Sequence, residues 1–135
     1  MEDKIVDLKT AKLAKNRGFN WQVINFYNSR GYCTYANGYQ TERLEASDWN
    51  NGMGSYPTLP EEVVCSAPSQ SILQKWLREL ATPIIVTPTT DFVAWQVEIQ
   101  HPDLGLLIID KNSEDKWFNS YEEAMEYGLS EALIL

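Results

Sequence analysis

Apolar residues recur along this 135-residue chain with two periods, and the change of period marks its elements. In residues 69–80, Ile72, Leu73, Trp76, Leu77 and Leu80 fall three and four apart, while Gln74, Lys75, Arg78 and Glu79 take the other side. That spacing predicts an amphipathic helix that opens at Ser69-Gln70-Ser71 and is stopped by Pro83. Residues 84–87 and 92–100 read as two strands joined through Pro88-Thr89-Thr90-Asp91. In the second, Val93, Trp95, Val97 and Ile99 alternate with Ala94, Gln96, Glu98 and Gln100, the period-two pattern of a sheet with one wet face. His101-Pro102-Asp103 turns the chain into a third strand, 104–109, apolar on both faces. Ser120-Tyr121-Glu122-Glu123 is a capping box that starts a last helix. Its stripe is Tyr121, Ala124, Met125, Leu129, Ala132 and Leu133, and Gly128 lets it approach a sheet closely.

The first half is patterned differently. Residues 7–18 combine an acid at the N-cap position (Asp7), an Ala-rich body, basic residues in the last turn and Gly18 at the C-terminal cap, all signals of a short helix. Lys9, Lys12, Lys15 and Arg17 make this the one concentrated positive stretch, read here as a solvated helix face. From 21 to 56, aromatics mix with Asn, Gly, Ser and Thr. Asn28-Ser29-Arg30-Gly31 and Asn37-Gly38 punctuate strand-like runs, which predicts a β-meander. With Asn37-Gly38 as a hairpin turn, Ala36 falls opposite Tyr39, Thr34 opposite Thr41 and Tyr32 opposite Arg43. Neither face of that hairpin is cleanly apolar, so it is expected half exposed at a sheet edge. Residues 47–57 read as a loop. The order is helix, meander, helix, three strands, helix. The expected architecture is an α+β fold, an antiparallel sheet with helices packed on one face, in a single domain over 1–135.

Composition agrees with a folded chain: 44% of residues are hydrophobic and 12% aromatic, and a core this size needs no disulfide or metal staple. Charge narrows the partners. Nineteen Asp and Glu stand against eleven Lys and Arg, a net −8 that disfavours nucleic acid and anionic membrane. From residue 68 onward there are 4 basic and 11 acidic side chains, a net −7. The acidic start, Met1-Glu2-Asp3, lacks the positive charge of a secretory leader, and no apolar run approaches the roughly 20 residues that cross a bilayer. A cytoplasmic protein is expected. Cys33 and Cys65 show neither Cys-x-x-Cys spacing nor a neighbouring His, so two reduced thiols are expected rather than a zinc or redox site.

The chain offers little for catalysis. His101 is the sole histidine and sits in a turn sequence. No nucleophile elbow, phosphate loop, dinucleotide fingerprint or His-Glu-x-x-His helix occurs. Acids gather at Asp110, Glu114 and Asp115 and along Glu122, Glu123, Glu126 and Glu131, without the phasing of a calcium loop. They read as a solvated loop and a helix start favoured by its dipole. A non-enzymatic protein with no cofactor and no metal is the expectation.

Two resemblances follow from the residues. The helix, three strands, helix order of 69–133 resembles double-stranded-RNA-binding domains. In that family the start of the second helix carries phosphate-contacting lysines, whereas this chain has Ser120, Tyr121, Glu122 and Glu123, so RNA is not expected. The segment from Ser66-Ala67-Pro68-Ser69-Gln70 through Leu73-Gln74-Lys75-Trp76-Leu77-Arg78-Glu79 resembles the "SAPTQ...LLQKWLRE" signature of small proteins from phages and prophage-like elements of gut Bacteroidales. The run from Ala11 to Phe19 is similar to that family's "AKLAKEKGF", and Tyr121-Glu122-Glu123-Ala124 with 129–133 to its "YEEAL...EALKL". The resemblance spans nearly the whole chain, departs most over residues 32–60, and implies a genomic setting without an activity.

The expected function is that of a small intracellular interaction protein, an accessory factor of a mobile element with an unidentified protein partner. Tyr35, Tyr39, Trp49 and Tyr56 are the candidate contact residues, because Tyr and Trp supply large contact area at low entropic cost. One alternative is an acidic nucleic-acid mimic that inhibits a host DNA-binding protein, which requires carboxylates along one face. Another is small-ligand or carbohydrate binding by Trp49, Tyr56 and the Asn-rich loop. An edge strand would offer a route to a homodimer.

Overall fold

A computed structural model describes residues 3–35, 46–51, 63–88, 94–109 and 118–135. Where length argued for one domain, these residues gather into two compact units, Ile5–Ser69 and Met1–Lys4 with Gln70–Leu135. The elements follow the expected α+β order, but the strands form two antiparallel sheets rather than one, three strands in each unit.

In the N-terminal unit, α1 (Leu8–Arg17) starts after an extended Asp7 whose carboxylate makes no capping bond. It ends where Gly18 turns left-handed at φ 97°. The Gly18 N–H donates to Lys15 O at 3.0 Å and the Phe19 N–H to Ala14 O at 2.9 Å, the paired bonds of a Schellman closure. β1 (Asn25–Asn28) is the central strand, flanked by β2 (Cys33–Tyr35) and β3 (Val63–Ser66). The expected turn at Asn28-Ser29-Arg30-Gly31 joins β1 to β2. The Asn28 side-chain oxygen accepts the Arg30 and Tyr32 N–H groups, and Gly31 supplies the positive φ. β3 was not legible in the sequence, since three apolar residues and a serine are too short to display a period. The hairpin expected about Asn37-Gly38 lies outside the described residues. α1 packs against β3, where Lys15 Nζ donates to Val64 O at 2.8 Å, and the Tyr27 hydroxyl donates to Val6 O at 2.6 Å.

The C-terminal unit is built from α2 (Gln70–Glu79), β4 (Ile84–Pro88), β5 (Trp95–His101), β6 (Gly105–Ile109) and α3 (Tyr121–Ile134), with β5 central. The alternation read from β5 holds: Val97 and Ile99 are fully buried, Gln96 and Glu98 half-buried and Gln100 exposed. Both helices lie on the buried side. α3 buries Ala124, Met125, Gly128, Leu129, Ala132 and Leu133, and its cap forms as predicted, with Ser120 Oγ accepting the Glu123 N–H. Gly128 has a specific reason to be glycine, because a Cβ there would meet Val97 Cγ2 at 2.6 Å and Ile84 Cγ2 at 3.1 Å. The stripe of α2 is narrower than its spacing suggests. Leu73, Trp76 and Leu77 are buried, whereas Ile72 falls at its margin and Leu80 in the terminating turn, both exposed. That turn is a second Schellman closure, made by Ala81 at φ 62° before Pro83 is reached.

Candidate contact surface

Trp49 has its burial set by local bonding. Its indole N–H donates to Val23 O at 2.8 Å, its ring stands 4.8 Å from that of Phe26, and 3% of it is exposed. Trp49 is therefore a core residue, not a contact residue, because a ring with a satisfied N–H is stabilised inside rather than at a surface. The neighbouring Asn50 is likewise structural, donating to Phe19 O at 2.9 Å and accepting the Ser66 N–H at 2.8 Å. Of the other candidates, Tyr35 ends β2 opposite Asn25, while Tyr39 and Tyr56 lie outside the described residues. The carbohydrate reading thus loses Trp49.

The two cysteines flank one residue: Cys33 on β2 and Cys65 on β3 both pair with Tyr27 of β1. Two strand spacings put their Cα atoms roughly 10 Å apart, beyond the reach of a disulfide, and both thiols are free. Burial pushes the Cys65 thiol up to about 11 against the opposing pull of Lys15 and Lys12, and burial also raises Cys33. Neither is an activated nucleophile. Asn25 Oδ1 and Ser66 Oγ are buried without hydrogen-bond partners. Ser66 pairs with Phe26, the residue after Asn25, so the two orphan atoms come from opposite faces of the sheet and do not converge.

In the C-terminal unit a groove of about 320 Å³ is lined by Asp3, Lys4, Gln70, Ser71, Gln74, Tyr121, Glu122 and Met125. The side chains of Asp3, Gln70, Ser71 and Gln74 are committed to holding the unit together. Asp3 accepts the Ser71 N–H at 3.2 Å and the Ser71 hydroxyl, Lys4 O accepts the Gln70 N–H, and Gln74 Nε2 donates to Ile84 O. Gln70 Nε2 donates to Glu122 O and Glu126 Oε1. The N-terminal residues thus cap α2 from outside the helix, a role that the sequence pattern did not reveal. Positive helix ends and carboxylates meet in this groove, so its field favours neither an anion nor a cation.

His101 lies at the end of β5, where its Nδ1 accepts the Asp103 and Leu104 N–H groups, both at 3.1 Å. It caps the turn. Among the described residues no three His, Cys, Asp or Glu side chains lie close enough to hold a metal ion, and no helix is long and apolar enough to cross a membrane.

Among the described residues, what remains open is the outer face of the β4-β5-β6 sheet. Residues paired across an antiparallel sheet share a face, so the register places Ile85 beside Glu98, Thr87 beside Gln96, and Gln100 beside Leu106 on the side away from α2 and α3. Ile85 is 37% exposed and Leu106 56%, and Leu104 in the adjoining turn is 58% exposed. This unit also carries all the net charge. Residues 1–4 and 70–135 hold 13 acidic and 5 basic side chains, net −8, against 6 and 6 in residues 5–69. The described acids do not share a face: Glu98 lies on the open side of the sheet, while Glu122, Glu123, Glu126 and Glu131 belong to α3 on the opposite layer. The acids at 110–115 lie outside the described residues. Compared with known proteins, the chain matches no family model, no curated protein and no solved structure.

Proposed function

We propose that this is a non-enzymatic interaction protein whose partner-facing surface is the open side of the β4-β5-β6 sheet. The observation that carries the reading is the exposure of Ile85 beside Glu98 and of Leu106 beside Gln100 on the face turned away from α2 and α3, with Leu104 exposed in the adjoining turn. The partner is a protein surface with an apolar centre and a basic side chain to meet Glu98, a pairing favoured by the acidity of the whole unit. The resemblance of residues 66–79 to small phage and prophage proteins supports an accessory role in a mobile element, acting in the cytoplasm without nucleic acid, membrane or cofactor. The nucleic-acid mimic is the weaker reading, since phosphates are imitated by carboxylates on one face and the described acids occupy two.

Affinity capture with the full chain, repeated with Ile85→Asp and Glu98→Lys, tests the proposal. A specific protein partner, captured by the original chain and lost with either substitution, supports it. Capture that is unaffected by both substitutions, or no partner at all, overturns it.

A further inference from the structure

Both amides available in the turn between β5 and β6 end on one nitrogen atom. Pro102 has no N–H to give, and the N–H groups of Asp103 and Leu104 both donate to His101 Nδ1 at 3.1 Å. His101 itself pairs with Gly105, whose φ of 79° completes the reversal. To accept the two amides Nδ1 needs its lone pair, which assigns the proton of the neutral ring to Nε2. An imidazolium carries a proton on both nitrogens and has no acceptor. Turning the ring over does not restore one, because it brings Cδ2–H to the place of Nδ1. We infer that His101 is a pH-sensitive latch: the neutral ring holds the turn closed, and the imidazolium releases the Asp103 and Leu104 amides. Released with them is the placement of Leu104, which is 58% exposed in the turn adjoining the open face of the sheet.

The charged groups about this end of β5 come from few places. β4 and β6, on either side of β5, hold no titratable side chain. Asp103 lies in the turn itself. By the alternation of β5, His101 shares the side of Val97 and Ile99, where both helices lie. α3 runs along β5 in the same direction, with Tyr121 against Trp95 and Gly128 against Val97, so its last turn carries Glu131 toward the His101 end. α2 closes on Arg78 and Glu79 at that end too, since Pro83 O accepts the Gln100 N–H at 3.0 Å. Imidazole takes up its second proton between about pH 5 and about pH 8, a range in which ordinary carboxylates and guanidinium groups stay charged. The latch does not depend on which surface meets a partner, whereas its effect on binding rests on the open sheet being that surface.

Nitrogen chemical shifts of the His101 ring, together with amide exchange of the full-length chain corrected for the intrinsic pH dependence of exchange, test the latch without a partner. Near pH 8 the ring is expected to hold its proton on Nε2. Between about pH 8 and about pH 5.5, protection of the Asp103 and Leu104 amides should fall by about 5- to 10-fold, the size of one lost hydrogen bond. In His101→Asn, whose Oδ1 accepts the same amides at every pH, protection should stay constant although Asp103 is still present. In His101→Ala it should be low at both pH values. A proton on Nδ1 near pH 8, unchanged protection across the range, or a response that survives in His101→Asn overturns the inference. Capture through Ile85 and Glu98 by a chain whose turn never opens leaves the functional reading intact and ends the latch, whereas a turn that opens in a chain that captures nothing keeps the latch and ends that reading.

Discussion

Ala81 at the end of α2 occupies the same left-handed closing position that Gly18 occupies at the end of α1. The bonds match: Gly18 donates to Lys15 O and Phe19 to Ala14 O, while Ala81 donates to Arg78 O and Thr82 to Leu77 O. The residues do not, since a Cβ at φ 62° costs roughly 1 kcal/mol that glycine avoids. Ala81→Gly is expected to stabilise the C-terminal unit by about 1 kcal/mol, and Gly18→Ala to destabilise the N-terminal unit by a similar amount. Urea unfolding midpoints check both, and opposite signs are required.

Gly128 makes the second prediction. Its missing Cβ is the space that Val97 and Ile84 fill, and the nearest atom belongs to a fully buried, β-branched side chain with little room to move. Gly128→Ala should destabilise by about 1–3 kcal/mol despite the better helix propensity of alanine. The double variant Gly128→Ala with Val97→Ala should lose less than the sum of the two single losses. Strict additivity in a double-mutant cycle would contradict the close approach.

The third concerns Trp49. As a core residue bonded to Val23 O, it should cost about 3–5 kcal/mol on truncation to alanine, and Trp49→Phe about 1 kcal/mol from the lost hydrogen bond. Tryptophan fluorescence and thermal unfolding report this. A Trp49→Ala variant of unchanged stability would return the residue to the surface.

Cysteine chemistry gives the fourth. Cys65 is raised to about 11 by burial, so folding favours its neutral thiol. The corresponding stability is present below the ordinary thiol range and is lost as pH rises from about 9 toward about 11, because the unfolded thiol ionises first. The decline should shrink in Cys65→Ser. Alkylation of the native protein near pH 8 should modify the exposed Cys33 well before Cys65, a difference read by mass spectrometry.

How far the sequence carried depended on period and burial together. β5 was legible because four successive alternations, Val93 to Gln100, fit a strand with one wet face, and α3 because its capping box and its stripe agree. β3 escaped, as Val63-Val64-Cys65-Ser66 is four residues without a repeat, and its place in the sheet is decided by Phe26 and Tyr27 nearly 40 positions earlier. Trp49 was misread for a related reason. Residue type marked Trp49 as a binding aromatic, but its partner Val23 is set by the fold, whereas Leu104 and Leu106 looked like ordinary strand residues until the sheet left them uncovered. His101 as the turn acceptor, and Asp3 and Lys4 as the cap of α2, depend on contacts that no local pattern encodes.

We propose that the protein works through the open sheet of its C-terminal unit and not through the aromatic segment of 21–56. Amide hydrogen exchange on the protein with its captured partner bound tests this most directly. Slowed exchange in 95–109 with little change in 25–35 is the expected result. Protection confined to 25–51, with the β5 and β6 amides unchanged, would contradict it.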